Sequence, residues 1–173
     1  MNTISPDRAT DPSQNSAPGQ NASGQDSAPG PAAELEPVRF DSKISILLRE
    51  DLETWQRLNV CAFLSSGIAA AHPELIGEPY QDADGIQYLA MFRQPVLVLI
   101  GSKELFGRAH QRALGRELPI SLFTADLFTT GHDRSNRAAV RAVATEQLDL
   151  VGMAVHGPRN AVDKVFKGAR MHP

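Results

Sequence analysis

Beyond residue 38, short apolar runs alternate with longer helical patterns. The first run, 43-KISILLR-49, is short, continuous and β-rich, the signature of a buried strand. Residues 51–71 follow without a spacer, carry apolar residues at three- and four-residue spacing and end in AAAH before Pro73, which predicts a long helix. Residues 73–95 are loop-rich, with a turn signal at Asp84-Gly85 and extended pieces around Tyr88. The strongest strand pattern is 95-PVLVLIG-101, followed by a helix over 103–117 and a strand over 119–124. A polar loop at 125–135 precedes a helix over 136–147 and a strand over 148–157. Pro158 then opens a helix that runs to Lys167, since proline is tolerated in a first helical turn. Alternating elements predict an α/β fold, a small mixed sheet of about four strands with helices on both faces.

The first strand–helix corner carries unusual residues. Asp51 is placed to cap the helix, and Glu50 and Glu53 add negative charge that the helix dipole favours by roughly 0.3–1 kcal/mol each. The same acids disfavour phosphate here and favour a donor such as an amine. Leu52, Trp55, Asn59, Ala62, Phe63 and Ser66 share one helical face, and Leu58, Cys61, Leu64 and Ile68 the next, so residues 58–64 are expected to be deeply buried. A buried carboxamide without partners costs about 1–3 kcal/mol. Asn59 therefore either pins the 125–135 loop to the helix or faces a pocket and binds a ligand. Trp55 reads as core wall, and Cys61, between Val60 and Ala62, as an inert small hydrophobe.

Composition separates residues 1–38 from the rest. Ser, Pro, Gly, Gln and Asn dominate, and SAPG occurs twice, which predicts a disordered tail ahead of one α/β domain over 39–173. The tail holds one basic and five acidic residues of the chain's 17 and 20, leaving 16 and 15 in the domain. A nearly neutral domain gives bulk charge no say over a nucleic-acid partner. Cys61 is the lone cysteine, so neither an intramolecular disulfide nor a multi-cysteine metal site can form. The histidines show no H-x₃₋₅-H spacing, and neither a metal site nor a cofactor is expected. No apolar stretch reaches the roughly 20 residues of a membrane span, and the start MNTISPDRATDPSQ lacks the features of a secretory signal. A soluble, cytoplasmic protein with no membrane partner is the expectation.

The loop 129-TTGHDRSN-136 is the most polar cluster between core elements. Thr130, His132 and Asn136 can gather beside Asp126 and Asn59 at a sheet end, where open α/β folds bind ligands. His132 with Asp126 or Asp133 would make an acid–base pair within hydrogen-bond reach, whereas the plainer alternative has Asp133 or Ser135 cap the next helix. Arg134, Arg137 and Arg141 form a basic stripe that can meet RNA phosphates or simply face solvent. Gly101-Ser102-Lys103 is too short for a phosphate loop, and Ser102 as a cap explains it. The calcium-loop-like 82-DADG-85 lacks the closing glutamate and reads as a turn.

Taken together, 43-KISILLREDLETWQRLNVCAFLSSGIA-69, 76-IGEPYQDADG-85, 94-QPVLVLIG-101, 124-TADLFTTGHDRSNRAAV-140 and 150-LVGMAVHGPRNAVDKVFKGARMHP-173 resemble the bacterial family known as domain of unknown function 2000. That family is similar in fold to the class II peptidyl-tRNA hydrolases. The resemblance implies their corner at Arg49, Asp51 and Leu52, and their later T-D-A-G-x-T loop at 124–130, which keeps Asp126 and Thr129 or Thr130 but lacks the glycine. Asn59 stands where their lysine would be, Phe63 in place of their glutamine, and Ser66 near their histidine. An asparagine offers only a neutral donor where a lysine can hold a phosphate or oxyanion. The expectation is a module with an altered hydrolase-like pocket that binds a small ligand through Asp51, Trp55, Asn59, Thr130 and Asn136. The alternatives are a hydrolase of peptidyl or aminoacyl esters with Asp126 and His132 in acid–base roles, and a structural partner-binding protein. Because the hydrolases are often dimers, the resemblance also implies a homodimer.

Overall fold

The structure, a computed structural model, describes residues 38–173; the predicted tail, apart from Val38, lies outside the described residues. The first strand, β1 (Ser42–Arg49), sits in the middle of a five-stranded mixed sheet. It pairs in parallel with β4 (Val96–Gly101) and antiparallel with β6 (Leu150–Pro158). β5 (Ile120–Thr124) adds to β6 at one edge, and β7 (Arg170–Met171) adds to β4 at the other. The expectation of about four strands is corrected by β7. A two-residue strand has no apolar run to announce it, and only its pairing with Leu99 and Ile100 defines it. β2 (Tyr80–Gln81) and β3 (Gln87–Tyr88) form a separate hairpin. Its turn holds Gly85 at φ 83°, and the Asp82 carboxylate accepts from the backbone N–H groups of Asp84 and Ile86 and from the Tyr88 hydroxyl.

Helices cover both faces. On one, α1 (Thr54–Ala71) packs Val60, Leu64 and Ile68 onto Ile44, Ile46 and Leu48 of β1, with Val151, Ala154 and Phe123 completing the cluster. On the other, α2 (Lys103–Leu114) and α4 (Arg159–Val165) bring Phe106, Ala109, Val162 and Val165 against Leu47, Met153 and Val155. Alternate residues of β1 thus feed the two cores, as a strand's period of two requires. α3 (Asp133–Arg141) is shorter than the helix expected over 136–147 and is followed by a 3₁₀ turn at Thr145–Gln147. None of its residues is fully buried, so it packs at the margin of the core.

Two expectations about α1 are corrected. The N-cap is Glu53 rather than Asp51, and the Glu53 backbone N–H donates to Gln56 Oε1 at 2.9 Å, half of a capping box. Asp51 is engaged instead by Arg49, whose Nε donates to it at 2.7 Å. Nor is α1 buried all round. Leu58 and Phe63 keep 69% and 52% of their surface, and Asn59 is exposed, because only the Val60–Leu64–Ile68 stripe meets the sheet. Asn59 therefore needs no protein partner, since water can satisfy it.

What lets α1 lie so close to the sheet is the absence of two side chains. A Cβ on Gly152 of β6 would meet Val60 Cγ1 at 2.2 Å, and one on Gly67 of α1 would meet the Ser121 hydroxyl of β5 at 2.4 Å. At the sheet end, Arg49 Nη1 and Lys103 Nζ both reach Asp149 Oδ1, at 2.7 and 2.8 Å, tying β1, α2 and the start of β6 together. Ser102 caps α2 through its hydroxyl, as expected, accepting from the Leu105 N–H at 3.4 Å.

Gly152→Ala is expected to destabilise the fold by about 1–3 kcal/mol through overpacking against Val60. In chemical denaturation, adding Val60→Ala to that variant is expected to cost less than the two single substitutions summed, because the deleted methyls clear the clash. His110 of α2 is 5% exposed, and burial pushes its imidazole below the ordinary histidine range. A depressed histidine contributes stability that is complete above its unfolded pKa of about 6.5 and is lost as pH falls through the lower folded value. His110→Leu is therefore expected to flatten the acid side of the stability–pH curve below about pH 6.5, measured by denaturant midpoints at several pH values.

Candidate functional site

The exposed flank of α1 forms one wall of a groove, and the chain after β5 forms the other. Between Phe123 and Thr124 the β5–β6 register slips, a bulge that turns the chain into a 3₁₀ turn at Ala125–Thr129. The Ala125 N–H donates to the Asp149 carbonyl at 2.9 Å and anchors the turn to the start of β6. Leu127 and Phe128 fold back towards α1, where Trp55 meets Phe128 edge-on at 5.7 Å between ring centroids. Phe123 contacts both Phe128 and Phe63, at 5.1 and 5.7 Å. An aromatic chain of this kind holds its geometry through edge–face attraction in addition to area burial.

This groove consists of two adjoining hollows of about 420 and 480 Å³ that share Phe63, Phe123, Leu127, Asp133 and Asn136. The first is bordered by Trp55, Asn59, Thr130 and His132. The second runs along α3 to Arg137 and Arg141. Its floor is aromatic and its rim polar, the usual make-up of a small-molecule site.

Five of the residues singled out in the sequence, Trp55, Asn59, Thr130, His132 and Asn136, line the first hollow together. Trp55 builds its wall while keeping 59% of its surface, so it borders the groove and is no part of the interior. The Thr130 hydroxyl lies against both the Leu127 carbonyl, at 2.9 Å, and the Asn136 carboxamide oxygen. The hydroxyl has a single proton to give, so it holds one edge of the Asn136 carboxamide and leaves the other edge to face the hollow. His132 is the N-cap of α3, in place of the Asp133 or Ser135 cap expected. Its Nδ1 accepts from the Ser135 N–H at 3.2 Å.

Asp51 and Asp126 lie outside this lining. Asp126 is exposed on the 3₁₀ turn, and among the described residues its carboxylate makes no hydrogen bond to His132. Of the basic stripe, Arg137 pairs with Asp133 at 3.1 Å, Arg141 makes no ion pair among the described residues, and Arg134 is exposed. Cys61 is half-buried on the other side of α1, and burial raises its thiol pKa, as suits an unreactive cysteine.

Sequence reasoning missed the aromatic floor. Phe123 and Leu127 look like ordinary core residues in the chain, and only the bulge after Phe123 exposes their edges to the groove. It also missed a cluster at the far end of α1, where His72, Glu74 and His156 come together. Linear spacing carries no signal for it, because β6 brings His156 back from a distant part of the chain.

A search among curated proteins finds none that matches this chain. Among solved structures, a protein of unknown function from Agrobacterium tumefaciens strain C58 is 44% identical and superposes with a TM-score of 0.76. The match covers 78% of this chain and all of that one. The family model described as a protein of unknown function, DUF2000, matches residues 42–173, almost the whole described domain. The chain belongs to the DUF2000 family.

Proposed function

We propose that the domain is a small-ligand-binding module whose site is the groove between α1 and α3. The observation that carries this reading is the convergence of Asn59, Thr130, His132 and Asn136 on one aromatic-floored hollow of about 420 Å³. Apolar walls supply affinity by area, and a few placed polar groups set orientation. The chemistry fits a planar ring with a hydrogen-bonding edge, seated on Phe63 and Phe123 with that edge towards the Asn136 carboxamide. An anionic substituent on such a ring would extend along α3 towards Arg141, which has no protein counter-charge among the described residues. A soluble cytoplasmic setting, inferred from the lone Cys61, belongs to the same proposal; among the described residues, no helix is long and apolar enough to cross a membrane.

The resemblance to class II peptidyl-tRNA hydrolases enters this proposal as an account of the scaffold: the Arg49–Asp51–Leu52 corner and the 124–130 loop. It is not extended to the reaction. Asn59 supplies no charge where a lysine would, and the exposed Asp126 lies outside the lining of the hollow that His132 borders. Ligand binding is therefore the better-supported reading over ester hydrolysis.

The test is a screen of planar heteroaromatic fragments, with and without a carboxylate or phosphate, read by protein-observed NMR on the full chain. Hits are expected to shift the Trp55 indole and the amides of 127–136. They should bind about tenfold more weakly to Asn136→Leu, the loss expected of one good hydrogen bond, about 1.4 kcal/mol. Anionic hits should be the ones weakened by Arg141→Gln. Saturable hits that leave these signals unmoved would overturn the assignment of the groove.

A further inference from the structure

α1 ends at His72, whose backbone N–H still donates to the Ile68 carbonyl at 3.0 Å, and Pro73 forces the chain into a 3₁₀ turn that holds Glu74. On β6, His156 stands opposite Ile44 of β1 and so points to the same face of the sheet as α1. The two imidazoles meet edge to face with centroids 4.5 Å apart, and His72 Nδ1 lies 3.1 Å from Glu74 Oε1. One donor atom from each of His72, Glu74 and His156 falls within 4.8 Å of the other two.

Packing alone does not account for this arrangement. His72 Nε2 and both ring nitrogens of His156 are buried without a hydrogen-bond partner. A buried polar atom left so is destabilising, and an apolar pair of the same shape would avoid that cost entirely. Nothing here resembles a conventional polar network either: His72 Nδ1 can donate to Glu74, but the lone pair of each neutral imidazole finds no N–H or O–H to accept from. Lone pairs gathered in this way suit a cation.

We infer that His72, Glu74 and His156 form a binding site for a divalent transition-metal ion of the zinc class. Two imidazoles and one carboxylate are borderline ligands, which favour zinc and its first-row neighbours over magnesium or calcium, whose preferred ligands are oxygens. Bonds of about 2.0–2.1 Å in tetrahedral geometry place ligand atoms roughly 3.4 Å apart. The three candidate ligand atoms already lie within 4.8 Å of one another, and the remaining span closes by side-chain rotation. Three protein ligands leave one position open, the pattern of a reactive or exchangeable site, whereas structural zinc sites have all four filled. Access exists from the Glu74 side, whose side chain is 64% exposed against 21% for His72. The site is distinct from the groove: Phe63, the groove residue of α1 nearest to it, stands nine positions before His72, about 13.5 Å at 1.5 Å per residue.

The experiment titrates Zn²⁺ into the full chain after chelator treatment, in competition with a chromophoric chelator. Residues 1–38 contain neither histidine nor cysteine, so they cannot contribute nitrogen or sulfur side-chain ligands. One Zn²⁺ per chain is expected. His72→Gln and His156→Gln should each weaken it by at least the ~10–100-fold that loss of an outer-sphere partner costs a metal site, while His132→Gln leaves it unchanged. In the wild-type chain, Zn²⁺ should shift the imidazole nitrogens of two histidines, 72 and 156, in long-range ¹H–¹⁵N spectra. That readout stands even where a variant fails to fold. Absence of stoichiometric binding, equal binding by both glutamine variants, or shifts confined to His110, His132 or His172 would overturn the assignment.

Discussion

The seating of α1 on the sheet is the constraint on which the rest of the domain depends. Val60 and Leu64 press against a strand position, Gly152, that has no side chain, and Gly67 repeats the device in reverse against Ser121. Helix–sheet distance is thus set at points where the side chains of one element rest directly on the bare backbone of the other. Interiors packed to crystal density transmit such a setting with little loss. The helix cannot move outward without opening a gap beneath Val60, or inward without a clash.

Both candidate sites inherit their geometry from that seating. Near its N-terminus, α1 carries Trp55, Asn59 and Phe63 along one wall of the groove, and the opposite wall is fixed by the bulge after Phe123 and the Ala125–Asp149 bond. At the C-terminus, the same helix delivers His72 to His156. A shift of one end by an ångström would separate aromatic contacts that span 5–6 Å and pull apart the imidazole pair. The exposed flank of α1 is then understandable: its apolar residues are divided between a stripe that holds the helix down and a second set that borders the groove.

Much of the fold was legible in the chain because burial writes itself as pattern. The runs 43–49 and 95–101 became β1 and β4, and Ser102 caps α2 as its position suggested. What stayed hidden depended on pairing or on distant contacts. β7 has two residues and exists only by its ladder with β4. The depth of α1 was overread because Leu58 and Phe63 look like core by hydropathy, although a helix lying flat on a sheet can bury only one stripe. Caps were misassigned by short offsets: Glu53 replaces Asp51 with its backbone N–H bonded to Gln56, and His132 replaces Asp133 or Ser135 because any side chain with a properly placed lone pair can cap. The polar loop was visible as chemistry, yet its partner residues on α1 could be proposed only because Asn59 looked out of place. No reading of spacing could join His72 to His156, since the fold alone closes that distance.

Native-state hydrogen exchange tests the seating of α1 most directly. If the helix is locked to β5 and β6 by packing onto Gly152 and at Gly67, the amides of Val60, Leu64 and Ile68 exchange only by global unfolding, with the same opening free energy as Val151, Met153 and Val155 of β6. Exchange of the α1 amides through a local opening well below the global value, while β6 stays protected, would contradict the account.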